Sequence, residues 1–304
     1  MKEFTFVSIC YNHEKYIIEH LESIKYQIIN HGKGIKIHYI LSDDCSKDNT
    51  VLLAKKWLSN NSYLFFSVEI IESDVNEGTV SNCIKSFKKV TTENFKSLAG
   101  DDLLYKNSIF ELYDNDWDVI VTPIIRINGE QTIIKDLKSE YFLYMLCNNK
   151  MLTIVISKII EFTMPFHTPG VFWKYHLFND DLIKAIEEYR IIEDVPLFYY
   201  LFHKKVNKTS FVSNVYVLYR TNSGVSHNNN GKSVYDIEHD IIMEKYWKKS
   251  HKFVPFFMKI INEKVLFKLK RSKKTNREYL SEINKANSYY LSIKELAKRS
   301  TSIL

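Results

Sequence analysis

Glycine and proline are scarce in this sequence, with eight and five residues among 304. That scarcity excludes collagen-like chains and disordered chains rich in Gly and Pro. The four cysteines (Cys10, Cys45, Cys83 and Cys147) lie far apart, and none forms a C-x-x-C pair. Their spacing argues against a thiolate zinc site. It predicts reduced, partly buried thiols, which fit a reducing cytoplasm.

Long apolar runs are also missing. Residues 1–10 pass directly into a strand-like segment, without the basic start and apolar stretch of a secretory signal peptide. No uninterrupted apolar run reaches the roughly 18–20 residues that a membrane-spanning helix needs. We therefore expect a cytoplasmic protein, for which peripheral attachment to the inner face of the cell membrane stays open.

The residues that are present suit an ordinary globular protein, with 45% hydrophobic and 26% charged. A chain of this length can form one large domain with an appendage. The net charge of +6 is unevenly distributed, because residues 241–304 hold 16 Lys or Arg and five Glu. The sequence therefore separates an acidic body from a basic tail.

Apolar runs typical of buried strands alternate with helical spacing over the first 122 residues. Strands are predicted at residues 4–10, 35–41, 65–71, 95–99 and 118–122. Helices are predicted at residues 14–29, 48–57 and 79–90 and from about residue 106. This alternation predicts an α/β fold with a parallel, doubly wound sheet. Ligands of such sheets bind at the carboxyl ends of the strands.

Beyond residue 125 the pattern is less regular. Two helices and one strand are predicted, at residues 180–189, 195–202 and 211–219. Residues 139–160 are mostly apolar and fit either a helix or a strand. Residues 222–232 are rich in Ser, Gly and Asn and predict a loop that marks a boundary or a lid.

Pairs of polar residues end three of the predicted strands: Tyr11 with Asn12, Asp43 with Asp44, and Asp101 with Asp102. Gly100 precedes the last pair, and a glycine allows a ligand to approach the backbone closely. Asp and Ser also favour turns and helix caps, so turn chemistry alone explains each motif taken singly. Carboxylates at a strand end can instead hold Mg²⁺ together with the phosphates of a substrate.

A fourth acidic pair, Glu193 and Asp194, precedes Pro196 at the start of a predicted helix. Acidic residues and proline are favourable in the first turn of a helix, so a plain helix start explains this motif. A carboxylate here can equally act as a general base for a hydroxyl group within hydrogen-bond reach. The sequence leaves both interpretations open at this position.

In their order along the chain, these motifs resemble the GT-A glycosyltransferases of family 2. The matching segments are residues 7–12, 43–50, 76–78, 100–102 and 193–194. The resemblance covers roughly residues 4–200. It implies a Rossmann-like, mixed but mostly parallel sheet flanked by helices. It also implies a nucleotide-sugar donor and a single displacement that inverts the anomeric centre.

The resemblance further implies a nucleotide-binding set, which consists of Tyr11, Asn12, Asp43, Asp44, Asn76, Gly78 and Asp101. In this set Tyr11 stacks on or borders the nucleobase, and Asn12 shapes the same loop. Asp44 accepts a hydrogen bond from the N–H of uracil or thymine. Asp101 faces the ribose.

The resemblance assigns the catalytic groups as well. Asp102 would ligate Mn²⁺ or Mg²⁺ on the diphosphate, Asp194 would deprotonate the acceptor, and Glu193 would support the acceptor site. The chain departs from the family in one respect. Ala99 and Gly100 precede the aspartate pair, where the family usually carries a further acid.

Two other segments look similar to the family. His167, Trp173 and Lys174 lie in a stretch that would form the acceptor side, although a buried aromatic packing element explains the stretch equally. Arg220 or His227, in the loop after the last core strand, would reach the diphosphate. A solvated loop histidine is the alternative for His227.

These features predict a catalytic domain over residues 1–230 and a helical extension over residues 231–304. The nucleotide-binding half would end at about residue 125, and residues 126–230 would form the acceptor half. Residues 255–274 mix apolar and basic side chains, which is typical of a helix on an anionic membrane. Packing on the catalytic domain and self-association are alternatives. Nucleic-acid binding is not expected, because no groove-reading motif is present.

The predicted function is a metal-assisted inverting glycosyltransferase. It would use a nucleoside-diphosphate sugar, with UDP as the expected nucleotide, and a glycan or lipid-linked glycan acceptor, as in the synthesis of a capsule or other bacterial surface polysaccharide. Two alternatives stay open. A nucleotidyltransferase on a similar sheet would need a basic, glycine-rich phosphate loop, which residues 7–14 lack. The other alternative is a sugar-nucleotide-binding protein without transfer activity.

Overall fold

A computed structural model describes residues 2–114, 116–128, 131–132, 167–203, 208–221, 233–247 and 273–304. Its first half is built on a parallel sheet with the strand order β3-β2-β1-β4. These strands are β1 (Lys2–Cys10), β2 (Ile35–Asp43), β3 (Ser67–Glu72) and β4 (Phe95–Ala99). The helices that follow the first three strands are α1 (Ile17–His31), α2 (Thr50–Asn60) and α3 (Thr79–Phe87).

The helices cover both faces of this sheet. Alternate side chains of a strand point to opposite faces, so the two sets of β1 side chains pack against different helices. Phe4 and Phe6 of β1 pack in one hydrophobic cluster with α1 and α2. Val7 and Ile9 pack in the other cluster, which includes the buried side chains of α3. The doubly wound arrangement predicted from the sequence is therefore confirmed.

The second half adds two mixed sheets, with the strand orders β10-β6-β9 and β5-β11-β7-β8. Their strands are β5 (Leu103–Leu104), β6 (Val119–Val121), β7 (Ile124–Asn128), β8 (Gln131–Thr132), β9 (Val171–Trp173), β10 (Thr209–Phe211) and β11 (Val217–Arg220). Pairs β10 with β6 and β11 with β7 are parallel, and the other three are antiparallel. The expected mixed, mostly parallel fold is thus present.

Four more helices follow: α4 (Asp180–Ile186), α5 (Asp194–His203), α6 (Val234–Ile242) and α7 (Lys273–Ile303). Helix α7 packs along α1 and buries Tyr289, Tyr290 and Ile293 in the same hydrophobic cluster as the sheet. The hydroxyl of Tyr289 donates to the carbonyl of Leu104 at 3.0 Å. The helical character expected for residues 231–304 holds wherever this stretch is described. Residues 255–272 lie outside the described residues.

The helix predicted from about residue 106 is wrong. The structure has only a 3-10 turn there, at Phe110–Asp114. Side chains of α1 explain the difference, because they bind the backbone that a helix would use. Gln27 donates to the carbonyl of Asn107 at 3.0 Å, and a ring nitrogen of His31 lies 2.8 Å from the carbonyl of Lys106. Tertiary contacts override the local pattern here.

The single strand predicted at residues 211–219 is also wrong. The segment contains the end of β10 and most of β11, which pair with β6 and β7 in two different sheets. The chain must leave one sheet to enter the other, so the extended run is interrupted. Residues 139–160 and the loop at 222–232 lie outside the described residues. No helix in the described part of the chain is both long and apolar enough to span a bilayer.

Candidate active site

Hydrogen bonds from side chains of the predicted site join the loop that follows β1 to the loop that follows β2. Asn12 adopts a left-handed backbone with φ of 56°, which Asn tolerates better than most residues. Its backbone N–H donates to Ser46 Oγ, and its side-chain oxygen accepts from the N–H of Lys47, both at 2.8 Å. The carboxylate of Asp43 accepts from the N–H of Ser46 at 2.7 Å. Tyr11 lies half-buried at the start of the same loop.

Asp44 organises the next loop. Its buried carboxylate accepts the N–H of Glu77 at 2.8 Å and the N–H of Gly78 at 2.7 Å. Gly78 has a φ of +99°, and a Cβ there would overlap the backbone of Arg190, so only glycine fits. The expected hydrogen bond from Asp44 to a nucleobase stays a prediction. Each carboxylate oxygen can accept a further hydrogen bond beside the ones it already has.

Arg190 connects this loop to the Glu193–Asp194 segment. Its Nη2 donates to the carbonyl and the side-chain oxygen of Asn76, at 3.0 and 3.1 Å. Its own carbonyl accepts the N–H of Val80 at 3.0 Å. The loop that carries Asn76 and Gly78, both predicted to bind the nucleotide, therefore contacts the segment that carries the predicted base.

The aspartate pair after β4 requires the glycine before it. A Cβ on Gly100 would lie 2.6 Å from Cys10 Sγ and 2.8 Å from His13 Nδ1. The other ring nitrogen of His13 lies 3.8 Å from a carboxylate oxygen of Asp101. His13 was not predicted from the sequence. Its only signal was its position next to Asn12, in the loop after the first strand.

Asp102 is the most deeply buried acid of the site, with 1% of its surface exposed. Its carboxylate accepts the backbone N–H of Arg220 at 2.7 Å. Burial, followed by the charge of Asp101, raises its pKa well above the usual range, despite opposing contributions from Arg220 and Lys96. The ionised form of Asp102 is therefore disfavoured unless a cation lies beside it.

A buried chain of hydrogen bonds ends at the backbone carbonyl of Asp102. His20 Nδ1 lies 2.7 Å from the carbonyl of Asp102, His20 Nε2 lies 2.6 Å from Ser8 Oγ, and the hydroxyl of Tyr39 donates to Ser8 Oγ at 2.7 Å. Burial lowers the pKa of His20 to about 4, so its ring is neutral at pH 7. Because a carbonyl can only accept, the Nδ1 atom carries the proton and Nε2 accepts from Ser8.

Lys96 was also missed, although it is the one charged residue of β4. Its buried ammonium donates to the carbonyls of Pro169 and Val171, at 2.7 and 3.0 Å, and lies 4.1 Å from the centroid of the Phe172 ring. Burial lowers its pKa to about 7, while the charge of Asp102 acts in the opposite direction. Lys96 thus joins the strand of the aspartate pair to residues 168–171.

Arg220, a predicted diphosphate contact, binds protein groups in this structure. Its guanidinium donates to the carbonyl of Asp101 and the hydroxyl of Tyr290, both at 2.8 Å, and to the carboxylate of Glu19 at 2.6 Å. It also lies 4.1 Å from the ring centroid of Tyr16. The diphosphate contact stays a prediction, and it would require the guanidinium to give up at least one of these partners.

Glu193 and Asp194 lie half-buried at the start of α5. Asp194 accepts the N–H of Val195 at 2.8 Å and the hydroxyl of Thr168 at 3.3 Å. Burial raises the pKa of both carboxyls. For Glu193 the charge of Asp194 is the next largest cause, and the pKa reaches about 8. The pair can therefore hold or release a proton near neutral pH, as a general base requires.

Tyr219 connects the two acidic pairs. Burial raises its pKa to about 12, and the charges of Asp102, Asp101 and Asp194 add to the shift. The charges of Asp101, Asp102 and Asp194 therefore all act on this hydroxyl group. The ring of His167 stacks on Tyr219 with centroids 5.6 Å apart. A cavity of about 50 Å³ adjoins this region and is lined by Lys96, Thr168, Trp173 and Glu193, among others.

The remaining residues predicted to contact the acceptor or the diphosphate have different environments. Trp173 is buried and packs edge-on against Phe95 at 4.7 Å, so aromatic packing is the interpretation that describes it. Lys174 lies with its ammonium 5.4 Å from the ring centroid of Trp117. His227 lies outside the described residues. Within the described ranges no three His, Cys, Asp or Glu residues form a group that could hold a metal ion on their own.

Solved structures of other proteins share the fold of this chain. The crystal structure of S. aureus TarS has a TM-score of 0.53 and 19% sequence identity, covering 81% of this chain and 39% of that chain. Residues 1–349 of S. aureus TarS in complex with UDP-GlcNAc give a TM-score of 0.50 and 17% identity, covering 81% of this chain and 67% of that one. Identities this low establish the fold alone. This chain spans 39% of the length of the first structure.

No protein with a curated description matches the sequence. The family model for glycosyl transferase family 2, in contrast, matches residues 5–186, which is more than half of the chain. The match includes the polar residues that end β1, β2 and β4. The chain belongs to glycosyl transferase family 2 and has the GT-A fold.

Proposed function

We propose that this chain transfers a sugar from a UDP-sugar to a hydroxyl group of a glycan or lipid-linked glycan, with inversion at the anomeric carbon. One observation carries the proposal. Residues 168–171 contact both acidic regions: Thr168 donates to the carboxylate of Asp194, and the carbonyls of Pro169 and Val171 accept from Lys96 of β4, the strand that leads into the aspartate pair. Membership of a glycosyl-transferring family supports the same conclusion.

For the donor, we propose that the uracil and ribose lie against the loops that follow β1 and β2. Tyr11 would border the base, and Asp44 would fix the neighbouring loop while accepting from the base. The proposal that the nucleotide is UDP draws on the TarS structure, which is in complex with UDP-GlcNAc. The hydrogen bonds of Asn12 with the Ser46 hydroxyl and the Lys47 backbone N–H support a binding site at these loops, because they join the loop after β1 to the loop after β2.

A divalent cation fits the aspartate pair only together with the donor. The described protein groups do not provide three clustered ligands, but Mg²⁺ is typically held by one or two carboxylates plus substrate phosphates. Asp102, whose pKa is raised by burial and by the charge of Asp101, would hold Mn²⁺ or Mg²⁺ in its ionised form, with Asp101 beside it. When bound, such a cation neutralises charge on a diphosphate leaving group.

For the chemical step, we propose that Asp194 accepts the proton of the acceptor hydroxyl. The acceptor oxygen then forms a bond to the anomeric carbon, while the bond from that carbon to the diphosphate oxygen breaks and UDP leaves. The hydroxyl of Thr168 orients the Asp194 carboxylate. Glu193, with a pKa of about 8, keeps its proton at neutral pH and can donate a hydrogen bond to the acceptor.

The acceptor class and the cellular site are finer proposals. A lipid-linked acceptor would place the enzyme at the inner face of the cell membrane, and the alternating apolar and basic residues of 255–274 support that location. A role in building capsule or another surface polysaccharide would follow. A homo-oligomer is compatible with the same sequence features.

The proposal is tested by thermal unfolding with UDP-, GDP- and dTDP-sugars, each with and without Mn²⁺ or Mg²⁺. A donor at about 100 times its Kd should stabilise the fold by about 2.7 kcal/mol. We expect UDP-sugars to raise Tm more with the metal than without it, and the Asp102→Asn variant to lose the metal-dependent part. Asp180→Asn, which changes an exposed acid of α4, is the matched control.

Release of UDP on addition of a glycan acceptor completes the experiment. Stabilisation by UDP-sugars without any UDP release would indicate a sugar-nucleotide-binding protein. Release of pyrophosphate from a nucleoside triphosphate would indicate a nucleotidyltransferase. Either result would contradict the proposed transfer reaction.

The raised pKa of Glu193 predicts a pH-dependent stability. A carboxyl whose pKa is higher in the folded chain stabilises the fold fully below its unfolded value, here 4.5, and this contribution is lost as the pH rises through about 8. We therefore expect the wild type to lose stability relative to Glu193→Gln as the pH rises from about 5 to about 8, measured by urea unfolding at each pH. A constant difference across that range would contradict the burial of an ionisable Glu193.

A further inference from the structure

Helix α6 lies beyond residues 5–186, the range that the family model matches. Its buried Glu238 nevertheless contacts the segment that precedes the predicted base of the candidate active site. Glu238 accepts three consecutive backbone N–H groups. One carboxylate oxygen accepts from Arg190 at 2.6 Å, and the other accepts from Ile191 and Ile192 at 2.9 and 3.0 Å. These three residues lead directly into Glu193 and Asp194.

Glu238 fixes the position of the backbone at residues 190–192, which we call the anchored segment. The three N–H groups precede α5, which begins at Asp194, so neighbouring helical carbonyls do not satisfy them. An ionised carboxylate makes stronger hydrogen bonds to N–H groups than a neutral acceptor does. Glu238 is 8% exposed, so water competes little for its oxygens. Helix α6 is itself fixed by a capping box between Ser233 and Asp236.

The anchored segment also contacts the nucleotide side of the site. Arg190 donates to Asn76 through its side chain and accepts from Val80 through its carbonyl. The same residue gives its N–H to Glu238. A continuous set of contacts thus runs from helix α6, through residues 190–192, to the loop at 76–80.

From these contacts we propose that Glu238 is a positioning residue of the transfer reaction, which fixes the backbone that presents Asp194 to the acceptor. The inference rests on the proposed function, in which Asp194 is the base. A base must lie within about 3 Å of the hydroxyl that it deprotonates, and a displacement of about 1 Å can lower the rate about a hundredfold. Glu238 would not touch the substrate, and its main effect on the rate would come through the position of that backbone.

The test uses the Glu238→Gln variant of the full chain. Glutamine keeps the size of the side chain, but its NH₂ group would face at least one of the three N–H donors and could not accept from it. We expect kcat for transfer to fall about 10- to 100-fold, while the KM for the UDP-sugar stays within about twofold. Asp240→Asn removes a charge from an exposed position of the same helix and should leave kcat unchanged.

A second readout separates positioning from a loss of folded protein. The charges that act on Glu193 are those of Asp194 beside it and of Glu238 from α6, while Lys96 from β4 and the thiol of Cys83 from α3 line the same cavity. The charge of Glu238 contributes to the raised pKa of Glu193. Glu238→Gln should therefore shift the pH profile of kcat toward lower pH, whereas Glu238→Asp, which keeps the charge, should leave the profile in place.

The stoichiometry of UDP binding gives the folded fraction of each variant. A kcat within twofold of the wild type for Glu238→Gln would overturn the inference. So would a loss of activity that matches the loss of UDP-binding sites, with an unchanged pH profile. If Glu238→Gln does not fold, Glu238→Asp must still show a lower kcat per UDP-binding site, and a wild-type value there would equally overturn it. A wild type that binds UDP-sugar but transfers nothing would instead refute the proposed function.

Discussion

Replacing Asp194 with asparagine is expected to lower the rate of sugar transfer by about 10²- to 10⁴-fold, the usual contribution of a positioned general base. The asparagine side chain has nearly the same shape and can still accept from the hydroxyl of Thr168, 3.3 Å from the carboxylate. It cannot take up the proton of the acceptor. Binding of UDP should change little, because the residues proposed to contact the nucleobase and the ribose lie in the loops after β1, β2 and β4.

Initial rates of UDP release measure the rate of sugar transfer, and titration with UDP measures the affinity for UDP. Asp180→Asn, an exposed acid in the first turn of α4, is the control for the loss of one negative charge. Glu193→Gln should have a smaller effect on the rate, since Glu193 is already protonated at neutral pH in our account. An Asp194→Asn variant that retains more than about a tenth of the wild-type rate would remove Asp194 from the mechanism.

Replacing Arg220 with methionine is expected to destabilise the fold by about 3 kcal/mol. The guanidinium is nearly inaccessible, and it pairs with Glu19, whose side chain is 13% exposed. Methionine fills much of the space but leaves Glu19 as a poorly solvated charge without its partner. The hydroxyl of Tyr290 and the carbonyl of Asp101 lose their donor at the same time.

Thermal unfolding should show a decrease in Tm of about 5 °C for this variant. A double-mutant cycle with Glu19→Gln identifies the cause, because interacting residues give non-additive changes. We expect Arg220→Met combined with Glu19→Gln to be more stable than the sum of the single changes predicts. Strictly additive changes would mean that the ion pair does not stabilise the contact between α1, β11 and α7.

The order of strands and helices in the first half was predictable because local spacing determines it. Buried strands and crossover helices leave apolar patterns of period two and 3.6, and residues 4–99 carry both. The second half was less predictable. Strands such as β5 (Leu103–Leu104) and β9 (Val171–Trp173) are too short to show a period, and they gain their stability from pairing across the fold. The failed helix near residue 106 illustrates the same limit, since Gln27 and His31 hold that backbone.

The candidate site divides in the same way. Asp43, Asp44, Asp101 and Asp102 were recognisable because a turn motif after a strand has a fixed local pattern. Lys96 and Glu238 were missed because their partners lie far away in the chain. Glu238 binds N–H groups 46 to 48 residues earlier, and Lys96 binds carbonyls 73 and 75 residues later. Such side-chain contacts with the backbone leave no signature in a single sequence.

The proposed reaction depends most on the claim that the acids after β2, after β4 and at the start of α5 lie around one bound UDP-sugar. A crystal structure of the chain with UDP and Mn²⁺ tests this claim most directly. We predict the uracil beside Tyr11, a metal about 2.1 Å from an oxygen of Asp102 and on the diphosphate, and Asp194 facing the outer phosphate across the cleft. UDP bound away from the ends of β1, β2 and β4, or a metal held without Asp102, would contradict it.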